Sequence, residues 1–239
     1  MAQTYFQFKQ FKIEQDKTAM KVCTDACLFG ALITENETVI KDDTVLDIGA
    51  GTGLLSLMIA QKNTAAKIDA VEIDKDAFEQ ARENISHSIW KNVEVHHQPI
   101  QEFTKDRNAC YDLIVSNPPF FENDLKSINE QRNKALHSSD LSLKELVEIV
   151  NKLLAEKGTF CVLLPFSRTE YFVNLAEKEN LFLQKKILVK QTPKHHFFRS
   201  ILFFKKENSG YETEEIVIKE NDVYSLRFTE LLKDYYLYL

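Results

Sequence analysis

Short apolar runs alternate with segments of helical periodicity from Thr44 onward. The apolar runs predict buried strands at residues 44–48, 67–72, 93–97, 111–116 and 159–164. Apolar residues spaced three and four apart predict helices at residues 54–61, 75–88, 141–157 and 168–179. Gly158 follows the third of these helices and is predicted to cap it. Because strands that alternate with helices are typical of βαβ units, we expect a mainly parallel sheet.

The alternation of strands and helices stops near residue 181. Two apolar runs at 182–190 and 196–205 have only a short turn between them, which predicts an antiparallel pair at the end of the sheet. The tail after Lys206 contains one more extended run, at 215–219, and then a helix that Asn221 or Asp222 is predicted to cap. Because the tail ends in tyrosine and leucine residues, we expect it to pack on the core.

The composition is that of a folded chain of about one domain. Of its 239 residues 44% are hydrophobic and 11% aromatic, which excludes a mostly disordered polypeptide. The longest apolar runs, such as 160–164, are far shorter than the ~20 residues of a membrane helix. The first residues lack the apolar segment of a secretory signal, and the four cysteines form no CxxC pair. We therefore expect a cytoplasmic protein with free thiols and no membrane span.

Charge is distributed unevenly along the chain. The formal net charge of −6 argues against binding of nucleic acid through bulk positive charge. Residues 185–206, called the basic stretch below, nevertheless carry seven Lys and Arg residues and no acid, whereas residues 207–239 carry eight acids and three bases. The basic stretch predicts phosphate contacts, although lysines on an exposed edge strand also keep that edge from pairing with other chains.

A glycine-rich loop follows the first strand of the alternating region. Residues 45–53 read VLDIGAGTG, with Asp47 in the strand and Gly49, Gly51 and Gly53 in the loop. Glycines let the backbone approach a ligand closely and leave the N–H groups of a helix start exposed. Leu54 occupies the last glycine position of the dinucleotide fingerprint G-x-G-x-x-G, so the loop predicts a different nucleoside ligand.

Two acids follow the second strand of the region. Glu72 lies at the strand end, 23 residues after Gly49, where a carboxylate can accept hydrogen bonds from both hydroxyls of a ribose. Asp74 is predicted to cap the helix that begins at Lys75. In series, the loop and Glu72 resemble the cofactor motif of class I S-adenosylmethionine methyltransferases.

The strand at 111–116 runs directly into Asn117, Pro118, Pro119 and Phe120. Two consecutive prolines fix the backbone direction, so that polar groups of Asn117 and Pro118 project rigidly from the strand end. The Asn117 side-chain oxygen and the Pro118 carbonyl can accept both hydrogens of an amine conjugated with a ring, and Phe120 can stack on that ring. These residues resemble the NPP(Y/F) motif of amino-methyltransferases.

The N-terminal segment makes the resemblance specific to one family within the NPP group. Residues 6–31, which include KVCTDACLFG at 21–30, are similar to the opening of the bacterial tRNA1(Val) adenine N6-methyltransferase family. The resemblance implies an α/β fold: a doubly wound, mainly parallel seven-stranded class I methyltransferase sheet with an antiparallel last strand. It also implies S-adenosyl-L-methionine as cofactor and tRNA as substrate. A cofactor-covering element at 1–42 would belong to a methyltransferase domain at 1–206, and the appendage at 207–239 would lie beyond the family core.

The resemblance and the charge pattern together predict the roles of individual residues. The predicted catalytic residues are Asn117, Pro118, Pro119 and Phe120. The predicted cofactor-binding residues are Lys21, Thr24, Asp25, Asp47, Gly49, Gly51, Gly53, Glu72, Ile73 and Asn117. Phe120 is predicted to contact the substrate base as well. From the basic stretch, Lys190, Lys194 and Arg199 are predicted to contact the tRNA.

Two further features of the sequence bear on the cofactor and on metal binding. Pro99 stands where many S-adenosylmethionine enzymes carry an acid for the adenine amine, so a backbone group or Gln98 must replace that contact. The adjacent histidines at 96–97 and 195–196 point to opposite faces of a strand, so we expect no metal site.

Three other functions stay open for an NPP motif. An rRNA guanine-N2 methyltransferase also acts on an amine that is conjugated with a ring, so it could use the same acceptors. A release-factor glutamine methyltransferase would normally carry a helical domain before the core, and only ~40 residues precede Thr44. A non-catalytic module that binds S-adenosylmethionine or RNA has no need of the amine acceptor at Asn117.

Overall fold

The computed structural model describes residues 4–18, 21–35, 43–108, 110–119 and 141–239. Within these ranges the chain forms an eight-stranded sheet and two separate two-stranded hairpins. The strands are β1 (Tyr5–Gln7), β2 (Lys12–Glu14), β3 (Thr44–Ile48), β4 (Lys67–Glu72), β5 (Val93–His97), β6 (Tyr111–Ser116), β7 (Leu154–Pro165), β8 (Phe182–Lys190), β9 (Phe197–Lys205), β10 (Glu212–Val217), β11 (Lys219–Glu220) and β12 (Val223–Tyr224). The helices are α1 (Thr24–Glu35), α2 (Leu54–Lys62), α3 (Lys75–His87), α4 (Ile100–Phe103), α5 (Leu143–Leu153), α6 (Thr169–Lys178) and α7 (Leu226–Leu232).

The order of the strands predicts a ligand site at the edge where the parallel strands end. The order is β10-β8-β9-β7-β6-β3-β4-β5, in which β9 runs antiparallel to β7 and β8 and all other neighbours are parallel. The chain leaves β3 toward β4 on one side and returns to β6 on the other. Folds of this type bind ligands at the carboxyl ends of the strands beside such a switch point. The prediction of a mainly parallel, doubly wound sheet is confirmed.

The seven predicted strands are all present, and the tail adds an eighth. Strand β10 pairs with β8 and covers what would otherwise be the edge of the sheet. Its acids face lysines of β8: Lys185 Nζ lies 3.0 Å from Glu214, and Lys190 Nζ lies 3.2 Å from Glu215. Pairing between oppositely charged side chains therefore helps to set the register of this strand, which has few apolar residues of its own.

Gly158 does not cap a helix. The helix before it begins with a capping box at Ser142 and Glu145 and ends at Leu153, and β7 starts at the next residue. Gly158 lies within β7, where a Cβ would come within 2.9 Å of the Tyr111 carbonyl oxygen. The prediction was wrong because glycine is required here for the close approach of β7 to β6.

The cap of the last helix was also predicted wrongly. Ser225, not Asn221 or Asp222, accepts the hydrogen bond from the Phe228 amide at the start of α7. Asn221 and Asp222 have φ values of +49° and +65° and form the turn between β11 and β12. Both roles suit short polar side chains, so the sequence alone did not distinguish them.

The apolar residues form one cluster on each face of the sheet. One cluster includes the buried faces of α1 and α2, and the other includes those of α5 and α6. The tail lies on the first cluster through buried residues, namely Ile216, Ile218, Phe228, Leu231, Leu232, Tyr235 and Tyr236. In the part of the chain described here, no helix has the length and apolar character needed to cross a membrane.

Candidate active site

The glycine-rich loop turns sharply at the carboxyl end of β3. Gly49, Gly51 and Gly53 have φ values of +73°, +56° and +80°, which disfavour any residue with a side chain. A Cβ at Gly49 or Gly51 would meet no heavy atom within 4 Å, so that side of the loop borders open space. A Cβ at Gly53 would lie 3.4 Å from Ile85, and this glycine therefore allows α3 to pack closely.

Glu72 holds the loop from the end of β4. One carboxylate oxygen accepts a hydrogen bond from the Gly51 amide at 2.8 Å, and the other accepts one from the Asp74 amide at 2.8 Å. Asp74 in turn accepts from the Ala77 amide, which confirms its predicted role as the cap of α3. Glu72 is 8% exposed, and these two hydrogen bonds fix its carboxylate beside the loop.

Asp47 lies fully buried beneath the loop. Its Oδ2 accepts a hydrogen bond from the Ser56 hydroxyl at 2.7 Å, whereas its Oδ1 has no partner within the described residues. Burial raises the pKa of Asp47 to about 6, and the hydrogen bond from Ser56 opposes that rise. The site therefore contains a carboxylate oxygen that lacks a donor.

Asn117 follows β6 directly beside the loop. Ser116 and Ile48 are register partners, and the Ser116 hydroxyl donates to the Ile48 carbonyl at 2.9 Å. Gly49 and Asn117 therefore leave neighbouring strands at the same level, where strands are about 4.8 Å apart. Asn117 Oδ1 is buried and has no partner among the described residues. A second unpaired acceptor thus lies beside the loop.

The other predicted residues of this edge differ in exposure. Pro118 is buried and Pro119 is exposed, so only the first of the two prolines packs against the rest of the protein. Ile73, next to Glu72, is 44% exposed and offers an apolar surface beside the loop. Phe120 lies outside the described residues.

Lys21 makes hydrogen bonds within the N-terminal element. The Lys21 ammonium donates to the carbonyls of Gln15 and Thr18, the latter at 3.0 Å. Thr24 is the first residue of α1, and Asp25 is buried in its first turn. A cofactor contact by Lys21, Thr24 and Asp25 stays a prediction.

The basic stretch is largely paired with acids. Arg199 Nε donates to Asp25 Oδ2 at 2.7 Å, and Lys190 is paired with Glu215. Lys194 is exposed in the turn between β8 and β9. Of the residues predicted to contact tRNA, Lys194 is therefore the most accessible, while Arg199 joins β9 to the N-terminal element.

The histidines of β5 contact different partners, as adjacent residues of a strand do. His96 Nε2 lies 2.7 Å from Asp69, whose second oxygen accepts from the Tyr111 hydroxyl at 2.6 Å. The ring of His97 stacks on Phe78 with centroids 4.9 Å apart. The absence of a metal stays a prediction.

Comparison with known proteins assigns the chain to a family. The methyltransferase small domain family matches residues 27–163. A tRNA1(Val) (adenine(37)-N6)-methyltransferase of Flavobacterium psychrophilum is 42% identical over 234 residues, which cover 97% of this chain and 99% of that protein. The chain belongs to this methyltransferase family. A relative of the same name from Cytophaga hutchinsonii is 40% identical and covers 100% of both chains.

The match to the Cytophaga hutchinsonii methyltransferase spans the whole chain and therefore includes residues 207–239. The domain boundary at residue 206 stays a prediction. A solved structure described as a predicted O-methyltransferase of Agrobacterium tumefaciens superimposes with a TM-score of 0.68 over 88% of this chain and 96% of that one. At 12% identity this likeness shows the class I methyltransferase fold alone.

Two buried polar residues of α3 hold the N-terminal segment of this methyltransferase, and sequence reasoning missed both. Asn84 pairs with both backbone groups of Glu14 in the N-terminal hairpin and also donates to the Thr52 carbonyl in the glycine-rich loop. Gln80 accepts from the Lys17 amide. The available signal was a pair of amides four residues apart on the apolar face of an amphipathic helix.

Proposed function

We propose that this methyltransferase transfers a methyl group from S-adenosylmethionine to the exocyclic N6 amine of an adenine in tRNA. Its relatives carry the name of enzymes for adenine 37 of tRNA1(Val), and we propose the same target here. The observation that carries the proposal is the buried Oδ1 of Asn117 beside the glycine-rich loop, which has no partner among the described residues. Buried polar atoms in native proteins nearly always have a partner, and an amine N–H of the substrate would be that partner.

The residues around the loop fit the cofactor. Open space above Gly49 and Gly51 accommodates a ligand against the backbone, and Glu72 stands where it can accept hydrogen bonds from ribose hydroxyls. Ile73 offers an apolar contact for a purine ring. The unpaired Oδ1 of Asp47 is a further acceptor below the loop. When bound, S-adenosylmethionine supplies an electrophilic methyl group.

The polar groups of the NPPF motif would act on the amine. The Asn117 Oδ1 and the Pro118 carbonyl accept the two amine hydrogens and favour a pyramidal nitrogen, whose lone pair is then directed at the methyl group. Phe120 stacks on the adenine ring. This arrangement works through placement and fixed dipoles. It requires no strong base, because the nitrogen becomes cationic and acidic once it is methylated and then loses one proton to solvent. A tRNA substrate also accounts for a cytoplasmic location, which we propose with it.

The experiment compares possible acceptors directly. The protein is incubated with methyl-labelled S-adenosylmethionine and unmodified tRNA, rRNA fragments or release factor, and the labelled product is identified by mass spectrometry. We expect N6-methyladenosine in tRNA1(Val), lost when adenine 37 is replaced by guanine. Label in guanine N2 or in a glutamine side chain would contradict the proposal. So would binding of S-adenosylmethionine without transfer to any of these acceptors.

A further inference from the structure

A pair of aromatic rings stands at the carboxyl edge of the sheet outside the site described above. Phe166 follows Pro165, the last residue of β7, and is 40% exposed. Phe197 is the first residue of β9 and is half-buried. The two ring centroids are 5.3 Å apart and the ring planes are inclined by 43°. Neither ring belongs to the core clusters, so the pair is available at the surface.

The strand register places this pair on the same edge as Asn117. Ser116 of β6 pairs with Val162 of β7, and Phe166 lies four residues beyond Val162. Asn117 lies one residue beyond Ser116, so Phe166 extends about 10 Å farther along the strand direction. The rings are therefore close enough to contact the same substrate molecule as Asn117, but they are too far away to contact the same base.

A lysine ammonium lies over one of the two rings, and a second lysine is exposed in the neighbouring turn. The Lys190 ammonium lies 4.2 Å from the centroid of Phe197, and its ion pair with Glu215 keeps it in that position. Lys194, His195 and His196 are exposed in the turn that leads into β9. RNA supplies both a planar apolar base and a phosphate, and this combination of rings and cations is complementary to both.

A protein partner would need a different surface. Stable protein interfaces bury several hundred Å² on each side around an apolar centre. Here the surface consists of two rings with one lysine ammonium over Phe197, an apolar area suited to a single planar group. The charge and the shape both favour a nucleotide.

We propose that Phe166 and Phe197 form a stacking platform for an unpaired base that flanks the methylated adenine. This inference rests on the proposed function, because it takes RNA to be the substrate. The platform holds the neighbouring nucleotide and so fixes the direction in which the RNA loop crosses the edge of the sheet. Stacking on an aromatic side chain tolerates any base, so the platform adds affinity and register without reading sequence.

The test combines protein variants with modified RNA. The substrate is an anticodon stem-loop, either intact or with one nucleotide beside the target adenine replaced by an abasic residue. The variants are Phe197→Ala, Phe197→Leu, which keeps apolar volume without a ring, and Phe197→Tyr, which keeps the ring. Tyr211→Ala is the matched control: Tyr211 is also exposed and has the Lys186 ammonium 5.1 Å from its ring, but it precedes β10 at the opposite edge.

The platform predicts a specific pattern of results. Phe197→Ala and Phe197→Leu raise the KM for the intact stem-loop about tenfold, with little change in kcat or in cofactor affinity, while Phe197→Tyr and Tyr211→Ala do not. At one of the two flanking positions, an abasic residue raises the KM of the unmodified protein by the same factor. The same abasic RNA causes no further rise in KM for Phe197→Ala. An unchanged KM, which a protein-binding role would give, overturns the proposal, and so does additive loss from the two changes.

The two proposals fail in different ways. If the unmodified protein methylates none of the RNAs, the proposed function fails, and binding of a fluorescent stem-loop then tests the platform separately. If methylation occurs and Phe197→Leu is indistinguishable from the unmodified protein, only the platform fails.

Discussion

Asn84 Nδ2 donates a hydrogen bond to the Thr52 carbonyl at 2.9 Å, which ties α3 to the glycine-rich loop. The second hydrogen of the same amide goes to the Glu14 carbonyl at 3.0 Å, and Oδ1 accepts from the Glu14 amide at 2.9 Å. Because the side chain is 2% exposed, water cannot replace these bonds. One side chain therefore connects the N-terminal hairpin to the glycine-rich loop.

Replacement of Asn84 by aspartate should weaken both connections. The carboxylate has nearly the same shape but no N–H, so it would face two carbonyl oxygens instead of donating to them. We expect a loss of about 2 kcal/mol in the free energy of unfolding and about tenfold weaker cofactor binding, measured by urea titration and calorimetry. Asn92→Asp is the control, since Asn92 donates to the Ala66 carbonyl away from the loop. Equal effects of both variants on cofactor affinity would contradict the role of Asn84.

Arg199 should contribute to the stability of the protein as well as to RNA binding. Its bond to Asp25, which is only 8% exposed, means that Arg199→Ala leaves a largely buried carboxylate without its partner. We expect a cost of about 2 kcal/mol in the free energy of unfolding. Asp25→Asn combined with Arg199→Ala should cost less than the sum of the single changes. Additive costs in chemical denaturation would show that the pair is not coupled.

Lys190 and Lys194 should contribute to the salt dependence of RNA binding. Each phosphate contact releases counterions, so the double change to alanine should reduce the slope of log Kd against log salt by about two. Cofactor affinity should not change. Lys185→Ala is the control, because Lys185 is paired with Glu212 and Glu214 toward the other end of β8. An unchanged slope for the double variant would place the RNA elsewhere, with Lys9 and Lys12 as the next candidates.

Asp47 should make the unliganded protein less stable as pH rises through the acid range. Its pKa is about 6 in the folded chain against an ordinary 3.8, so between these values the folded state holds a proton that the unfolded state has released. The free energy of unfolding therefore falls between about pH 4 and pH 6, by about 3 kcal/mol at ~1.4 kcal/mol per unit. Asp47→Asn should remove this part of the profile in urea unfolding. Parallel profiles for the two proteins would contradict the assignment.

Local patterns were sufficient to predict most of the fold. Buried strands such as β3 and β6 are continuous apolar runs, and the cap at Asp74 follows from its neighbours alone. Strand β10 was harder to predict, because half of the residues in Glu212–Val217 are acidic and its pairing depends on lysines about 25 residues earlier. Gly158 was misinterpreted for the same reason: the carbonyl that excludes a side chain there belongs to Tyr111.

The candidate site could be predicted in part. Motif residues at strand ends, such as Glu72 and Asn117, follow from the rule that parallel strands end at one edge. The pairing of Arg199 with Asp25 and the bonds of Asn84 depend on which elements pack together, which no local pattern contains. Positive charge in the basic stretch predicted an RNA surface, but the structure shows that acids of β10 and α1 pair with several of those cations.

Most directly testable is the proposal that the Asn117 side-chain oxygen positions the amine for methyl transfer. The direct measurement is single-turnover methylation of an anticodon stem-loop by Asn117→Ala, with cofactor affinity determined for the same protein by calorimetry. We predict cofactor affinity close to that of the unmodified protein and a rate of N6-methyladenosine formation lower by about 10²-fold or more, as expected for loss of one fixed polar group in a transition state. A variant that methylates the RNA at nearly the original rate would contradict the account.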